Sequence, residues 1–287
     1  MRIERHDEPA AFFALVAPFL ERREAQHNLQ LGFRARLETD RHAFGPRDPL
    51  LYAVLDDGGD VVAVATQTPP FGVILSEMDD PVIVDALADR LVEDGAELPT
   101  AGGPVQLARA FAHRWSSLTG LVPSVQIDER IYEATSVVQP QGVRGTMRAY
   151  TPADRPLAIE WLGAFLAEAM PDAPEGRVER IVDDRAAGVG SLVLWEDDGR
   201  IVSLAGHAGE TPNGSRVGPV YTPPELRGRG YASALTAALT EQLLERRRFC
   251  FLYTDLANPT SNSIYQRIGY RPVTDVTVWR FAAAGAS

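Results

Sequence analysis

Lysine is absent from this chain. All 28 of its basic residues are arginine, against 39 acids in 287 residues, for a net charge of -11. That deficit of positive charge argues against a nucleic-acid partner, because a phosphate backbone needs a basic footprint. It is compatible with a cationic substrate such as an amine. The missing lysine also excludes a nucleotide P-loop, whose Gly-Lys-Ser/Thr places an ammonium on the phosphates. One cysteine, Cys250, rules out an intramolecular disulfide, and no Cys/His cluster has metal-ligand spacing, so no metal is expected. No apolar run approaches the ~20 residues of a membrane span. Met1-Arg2-Ile3-Glu4-Arg5-His6-Asp7 lacks the apolar core of a signal peptide. The expectation is a soluble, cytoplasmic protein; nothing fixes the oligomeric state, and a homodimer is compatible with the sequence. Neither Gly-x-Ser-x-Gly nor a Cys/His pairing is present, which argues against a hydrolase.

What the chain does have is a stretch from Gly218 to Ala232, Gly-Pro-Val-Tyr-Thr-Pro-Pro-Glu-Leu-Arg-Gly-Arg-Gly-Tyr-Ala. Ser215 to Thr222 is β-prone, and Pro223-Pro224 ends it, since proline donates nothing to a ladder. Arg227-Gly228-Arg229-Gly230-Tyr231-Ala232 then opens a helix-periodic segment to Arg247. Strand, glycine turn and helix start in that order form an anion site. Glycine lets backbone approach closely, and the N–H groups of a first helical turn have no internal acceptor. The expected ligand is a phosphate or pyrophosphate. A dinucleotide fingerprint fits poorly, because Gly228 and Gly230 are followed by Ser233 and no early βαβ unit surrounds them.

Asn258 to Tyr270 is the second informative stretch. Asn258 suits a helix N-cap, Pro259 the first helical position and Gly269 the C-terminal stop. Ile264 and Ile268 share one face and Ser261 and Tyr265 another, with Asn262 beside it.

The two stretches together resemble the GNAT superfamily of N-acetyltransferases, whose coenzyme A pyrophosphate loop reads Arg-x-x-Gly-x-Ala after a strand. The resemblance covers about Thr146 to Phe281. It implies an acetyl-CoA-dependent acyltransferase acting on an amine by direct attack in a ternary complex. By position, the backbone of Val220, Tyr221 and Thr222 would pair with the pantetheine arm. Arg227, Gly228, Arg229, Gly230, Tyr231 and Ala232 would hold the pyrophosphate. Asn258, Ser261 and Asn262 would line the coenzyme, and Tyr265 would protonate the leaving thiolate. A phenol of ordinary pKa near 10 is protonated at neutral pH, as a general acid must be. Many members carry a glutamate on the strand before the loop; Ser215 to Thr222 has no acid. His207, Glu210 and Glu225 are near in sequence, and Glu168 and Asp172 are candidates to bind a cationic amine. The alternative reading is a non-catalytic acyl-CoA-binding or regulatory module.

The rest of the chain reads as α+β with a mixed sheet, in two domains, 1–140 and 145–287. Helices are expected over Glu8–Arg23, Gln26–Leu37, Pro81–Glu93 and Val105–Thr119. Strands are expected over Leu50–Leu55, Val61–Thr66, Phe71–Leu75, Ser124–Ile127 and Ile131–Glu133, with a strand end and a Gly-Gly turn over Leu98–Gly103. Ser136 to Gly145 reads as a linker. The second half repeats the order: helices Thr151–Ala169 and Val178–Ala187, a loop at Pro171–Gly176 between them, strands Ser191–Trp195, Ile201–Ala208 and Ser215–Thr222, the helix after the glycine loop, strand Phe249–Thr254, helix Asn258–Ile268, and strands Tyr270–Val273 and Val276–Phe281. The first half has the same order but no glycine loop at Pro81 to Arg90. The reading is therefore a tandem, with a GNAT fold in the C-terminal half and a degenerate copy before it; an unrelated α+β domain in the first half is the alternative.

Overall fold

The computed structural model describes residues 1–169 and 176–285. The chain folds as two units. The first holds Met1–Ile131, Thr254–Ala257 and Val273–Ser287; the second holds Tyr132–Tyr253 and Asn258–Pro272.

In the first unit the elements run β1 (Arg2–His6), α1 (Pro9–Leu20), α2 (Asn28–Gly32), α3 (Arg34–Thr39), β2 (Leu50–Leu55), β3 (Val61–Gln67), β4 (Val73–Leu75), α4 (Val82–Glu93), β5 (Thr100–Pro104), α5 (Val105–Thr119) and β6 (Val122–Ala134), the last crossing into the second unit. Sheet neighbours follow the order β1, β2, β3, β4, β5. The β2–β3 turn closes on Asp56, whose Oδ1 accepts from the N–H groups of Gly58 and Asp60 while Gly59 takes φ +90°. Alternate side chains of β2 bury on opposite faces. Leu51, Ala53 and Leu55 meet Phe12, Phe13 and Val16 of α1, whereas Tyr52 and Val54 meet Leu87 and Trp115 of α4 and α5. The unit is thus a sheet between two helical layers.

Five elements of this unit differ from expectation. The Gly102-Gly103 turn is instead the middle of β5, paired with Val278 and Thr277. Charged Arg2–His6 is a strand, paired antiparallel to β2 at the sheet edge, where charge suppresses further pairing. Gln26–Leu37 is broken in two because His27 and Asn28 are buried and bond backbone instead: His27 Nδ1 to the Leu20 carbonyl, and Asn28 Nδ2 to that of Ala25. Phe71 lies outside β4. Ser124–Ile127 and Ile131–Glu133 are one strand, β6. Its central charges are met laterally rather than by a turn: Arg130 grips Asp275 at 2.6 and 2.8 Å, and Asp128 accepts from Thr277 Oγ1.

The second unit contains β7 (Thr146–Ala149), α6 (Arg155–Ala169), α7 (Arg177–Ala186), β8 (Ser191–Asp197), β9 (Arg200–Ala208), β10 (Gly214–Tyr221), α8 (Tyr231–Leu244), β11 (Phe249–Asp255) and α9 (Pro259–Arg267). Strands neighbour in the order β11, β10, β9, β8, β7. Strand β7 was not expected; it pairs antiparallel with β8. Trp195 Nε1 ties to the Arg144 carbonyl just before it. The capping box Thr151/Asp154 opens a short 3-10 turn ahead of α6, and Arg148 binds Asp154 through both oxygens. Helices α6 and α7 cover one face through Trp161, Leu162 and Val182, and α8 covers the other through Leu235, Ala237 and Leu239. The final element, β12 (Arg271–Ala282), is one strand where two were expected, because Asp275 at the apparent break is paired with Arg130. Its residues from Val276 to Arg280 pair antiparallel with β5 in the first unit. Among the described residues no helix is long and apolar enough to cross a membrane.

Candidate functional site

Strand β10 has two unlike neighbours. It pairs antiparallel with β9 as far as Tyr221, with a register shift between Val217 and Val220. With β11 it is parallel, and the shared register covers only Gly214–Arg216 against Phe249–Phe251. Past that point the two strands continue without pairing to each other. The backbone from Val217 to Tyr221 therefore has no strand partner on its β11 side. At the shift Gly218 takes φ +141°, a conformation open to glycine.

Beyond the gap, Pro224–Leu226 is a 3-10 turn and Gly230 is the N-cap of α8 with φ +84°. Gly228 has φ +78°; a Cβ there would meet nothing within 4 Å, whereas at Gly230 it would sit 2.8 Å from Val143 Cγ2. Among the described residues no acceptor faces the backbone N–H groups from Gly228 to Ser233. These amides and the α8 dipole make a cradle for an anion.

The two arginines of the loop are not equivalent. Arg227 is committed: its Nε donates to the Thr222 carbonyl, its Nη2 binds both oxygens of Glu168, and its guanidinium lies over the Tyr221 ring at 5.8 Å. Arg229 makes one long contact, 3.4 Å to the Glu225 carbonyl, and is the loop cation left for a ligand. Glu168 is accordingly spent on the loop rather than open to a cationic amine. Asp172, the other acid considered, lies outside the described residues, as does most of the Pro171–Gly176 loop. Glu210 forms an ion pair with Arg247. The His207 imidazole sits 3.2 Å from Ser215 Oγ, and burial lowers its pKa.

Side chains and backbone of the expected site residues part company. Tyr221 packs on Trp161, Thr222 Oγ1 bonds Ser203 Oγ, and the Tyr231 hydroxyl donates to Asp197. For these residues, only the backbone faces the gap or the cradle. Ala232 offers its backbone N–H, and Val220 is partly buried in the cluster under α8. In α9 the Asn258 side chain accepts from the Ser261 N–H at 3.0 Å, so the cap read from sequence is formed. Asn262 bridges the Asn258 carbonyl and the Tyr132 hydroxyl, which Gln266 also binds. Tyr265 is half-buried, edge-on to Tyr270 at 6.0 Å, and shares a cluster with Val220 and Tyr231. Desolvation pushes its phenol up to about 12. Its hydroxyl has no hydrogen-bond partner among the described residues. Three partners escaped the sequence reading: Val143 against Gly230, Glu168 on Arg227, and Ser203 behind Thr222. Only proximity in space links them to the loop.

The first unit has a counterpart without the chemistry. Strands β4 and β5 are parallel, at Val73/Ala101 and Ile74/Gly102, and α4 follows Ser76-Glu77-Met78-Asp79-Asp80-Pro81. Asp80 Oδ1 already takes the Val82 N–H. Three acids in place of glycines and arginines make that helix start hostile to an anion.

Residues 198–280 match the family model described as FR47-like protein, a span holding both β10 and α9. No curated protein matches the chain in sequence. Solved structures match in fold over nearly the whole length. An acetyltransferase of the GNAT family from Colwellia psychrerythraea aligns with TM-score 0.59 at 10% identity, covering 98% of this chain and 100% of that one. A GCN5-related N-acetyltransferase from Sphaerobacter thermophilus aligns with TM-score 0.60 at 20% identity, covering 97% and 95%. A tandem GNAT protein from the clavulanic acid biosynthesis pathway aligns with TM-score 0.54 at 12% identity, covering both chains completely. The GNAT fold expected from the glycine loop and the late helix is the fold found, in tandem.

Proposed function

We propose that this chain, built on the GNAT fold, transfers an acyl group, acetyl in the first instance, from coenzyme A to an amine. The observation that carries the reading is the parting of β10 from β11 beside a loop of unpaired amides. An extended pantetheine arm fits that gap as an added strand against Val220, Tyr221 and Thr222. The pyrophosphate sits at the N–H groups of Gly228 to Ser233 with Arg229 beside it. The acyl end then points toward Arg216, where the strands close.

The chemistry is addition and elimination at the thioester carbonyl. The amine lone pair forms the C–N bond and the carbonyl oxygen takes the charge, stabilised by strand N–H groups bared by the register shift. The oxygen lone pair re-forms the carbonyl as the C–S bond breaks, and Tyr265 donates its proton to the departing sulfur. A desolvated phenol with no competing acceptor holds that proton across the whole physiological range. Strand β10 carries no carboxylate, and Glu168 and Glu210 are held in ion pairs. We therefore assign the amine's proton to water. Holding both reactants in one cleft supplies the entropic share of the rate.

Calorimetry with acetyl-CoA on wild type and Gly230→Asp, followed by amine-dependent thiol release, tests this. Binding that the variant abolishes, with release that needs an amine, supports transfer. Binding with no amine-dependent release would leave an acyl-CoA-binding module. No binding by wild type would overturn the reading.

A further inference from the structure

Arg216 is the last β10 residue in register with β11, so it stands at the closed end of the gap. Its neighbour Val217 is buried under α8. Successive side chains of a strand alternate, so Arg216 points to the opposite face, where α6 and α7 pack. There its guanidinium lies flat against Gly209: a Cβ built on that glycine would stand 3.2 to 3.3 Å from Nη2, Cζ and Nε. Gly209, with φ +66°, thus leaves room for the group and fixes its plane. Arg177, the first residue of α7, is half-buried and within electrostatic reach of Arg216 and of Arg180.

Neither Arg177 nor Arg216 has a carboxylate partner among the described residues. The acids nearby serve elsewhere: Asp183 and Glu179 act on Arg155, Glu210 on Arg247, Glu168 on Arg227. In a chain of net charge -11 this is an unusual arrangement. Burial and the like charges of Arg216 and Arg180 lower the Arg177 pKa. An anion bound beside these cations removes that cost.

We propose that the acceptor amine carries a carboxylate, as an amino acid does, and that Arg216 and Arg177 bind that carboxylate on the α6–α7 face of the gap. A planar guanidinium fork matches a carboxylate's two oxygens. Anchored there, the amine of the same molecule reaches the closed end, where the acyl carbonyl lies. The inference rests on the transferase reading above and names its substrate class.

The test compares acceptors in matched pairs on the full chain: an amino acid, its amide and its decarboxylated amine, with the aminophosphonate as a second anion. Glycine and phenylalanine series cover small and large side chains. The expected result is a kcat/KM for the amino acid at least about 50-fold above that of its amide. Arg216→Gln and Arg177→Gln should each cut that preference by 10-fold or more, mainly through KM, while acetyl-CoA affinity stays within twofold of wild type. Arg216→Lys should recover part of the loss, and Gly209→Ala, which displaces the guanidinium, should mimic part of it. Transfer with no preference for the carboxylate, or a preference that both glutamine variants keep, overturns the inference and leaves the transferase reading standing. Preference for the phosphonate over the carboxylate would also overturn it. Absence of acetyl-CoA binding would instead fail the earlier reading.

Discussion

Replacing Gly230 by alanine probes the anion cradle most directly, and the structure separates its effect into two parts. The first is conformational. Gly230 has φ +84°, and an L-residue there costs about 1 kcal/mol or slightly more. The second is steric. The new Cβ would stand 2.8 Å from Val143 Cγ2, against an optimum of roughly 3.5–4.0 Å between carbons. Val143 is β-branched and packs into the cluster that holds Leu226 and Tyr231, so it yields by moving its neighbours, at about 1–3 kcal/mol. The loop relieves the strain by shifting, and the shift misaims the N–H groups of Tyr231, Ala232 and Ser233. If about 2 kcal/mol of the total appears in binding, acetyl-CoA affinity falls about 30-fold. Gly228→Ala meets open space at φ +78° and carries only the conformational part, about fivefold. Val143→Ala in the Gly230→Ala background removes the steric part and should return affinity to the level of Gly228→Ala. Calorimetric titration of the four proteins, with thermal melts as controls for folding, measures each term. Wild-type affinity in Gly230→Ala, or no recovery on adding Val143→Ala, would refute the assignment of the phosphate site to this loop.

Tyr265→Phe should lower kcat by about 10²-fold, within the range for a positioned acid, with acetyl-CoA affinity nearly unchanged; unaltered turnover removes Tyr265 from the mechanism. With the phenol pushed up to about 12, kcat should show no alkaline decline through pH 10, and a decline centred near an ordinary tyrosine pKa would contradict its burial. Asp154→Asn breaks the paired contact to Arg148 and half of the capping box, which should destabilise by about 2–3 kcal/mol at pH 7 in denaturant unfolding. Arg148 holds the Asp154 carboxyl well below the usual range. A depressed carboxyl contributes stability above its unfolded pKa of about 4 and loses it as pH falls through its folded value, so the gap between wild type and variant should narrow below pH 4.

Legibility in the sequence followed the range of the interactions. The α9 cap was readable because Asn258, Pro259 and Ser261 act on one another within a single turn. The glycine loop was readable because its backbone demands fall on consecutive residues. Strands β6 and β12 were each split in the reading, at charged positions that include Asp128, Arg130 and Asp275. Their charges are met by partners 145 and 149 positions away, which no local pattern encodes. Edge strands β1 and β7 were missed for a related reason: half-exposed and short, they carry no apolar alternation. Within the site, sequence order could name Arg227 as a phosphate ligand but could not show that Glu168, 59 positions earlier, already occupies it. The same blindness hid Arg216 and Arg177, whose importance lies in which charges are not beside them.

The place of β12 bears on how this chain is made. A ribosome delivers it at roughly 5–20 residues per second. Residue 131 emerges well before the segment Val276–Arg280 that pairs with β5. For roughly 7–30 s the nascent first unit holds β5 as an unpaired edge, including Gly102 and Gly103, which offer no side chain to block a stray strand. Each nascent chain must therefore keep an open sheet edge from pairing with its neighbours on the same message until the segment Val276–Arg280 has been made. Slow translation or crowded polysomes should accordingly show up as aggregation at birth, in a protein whose finished form has that edge covered.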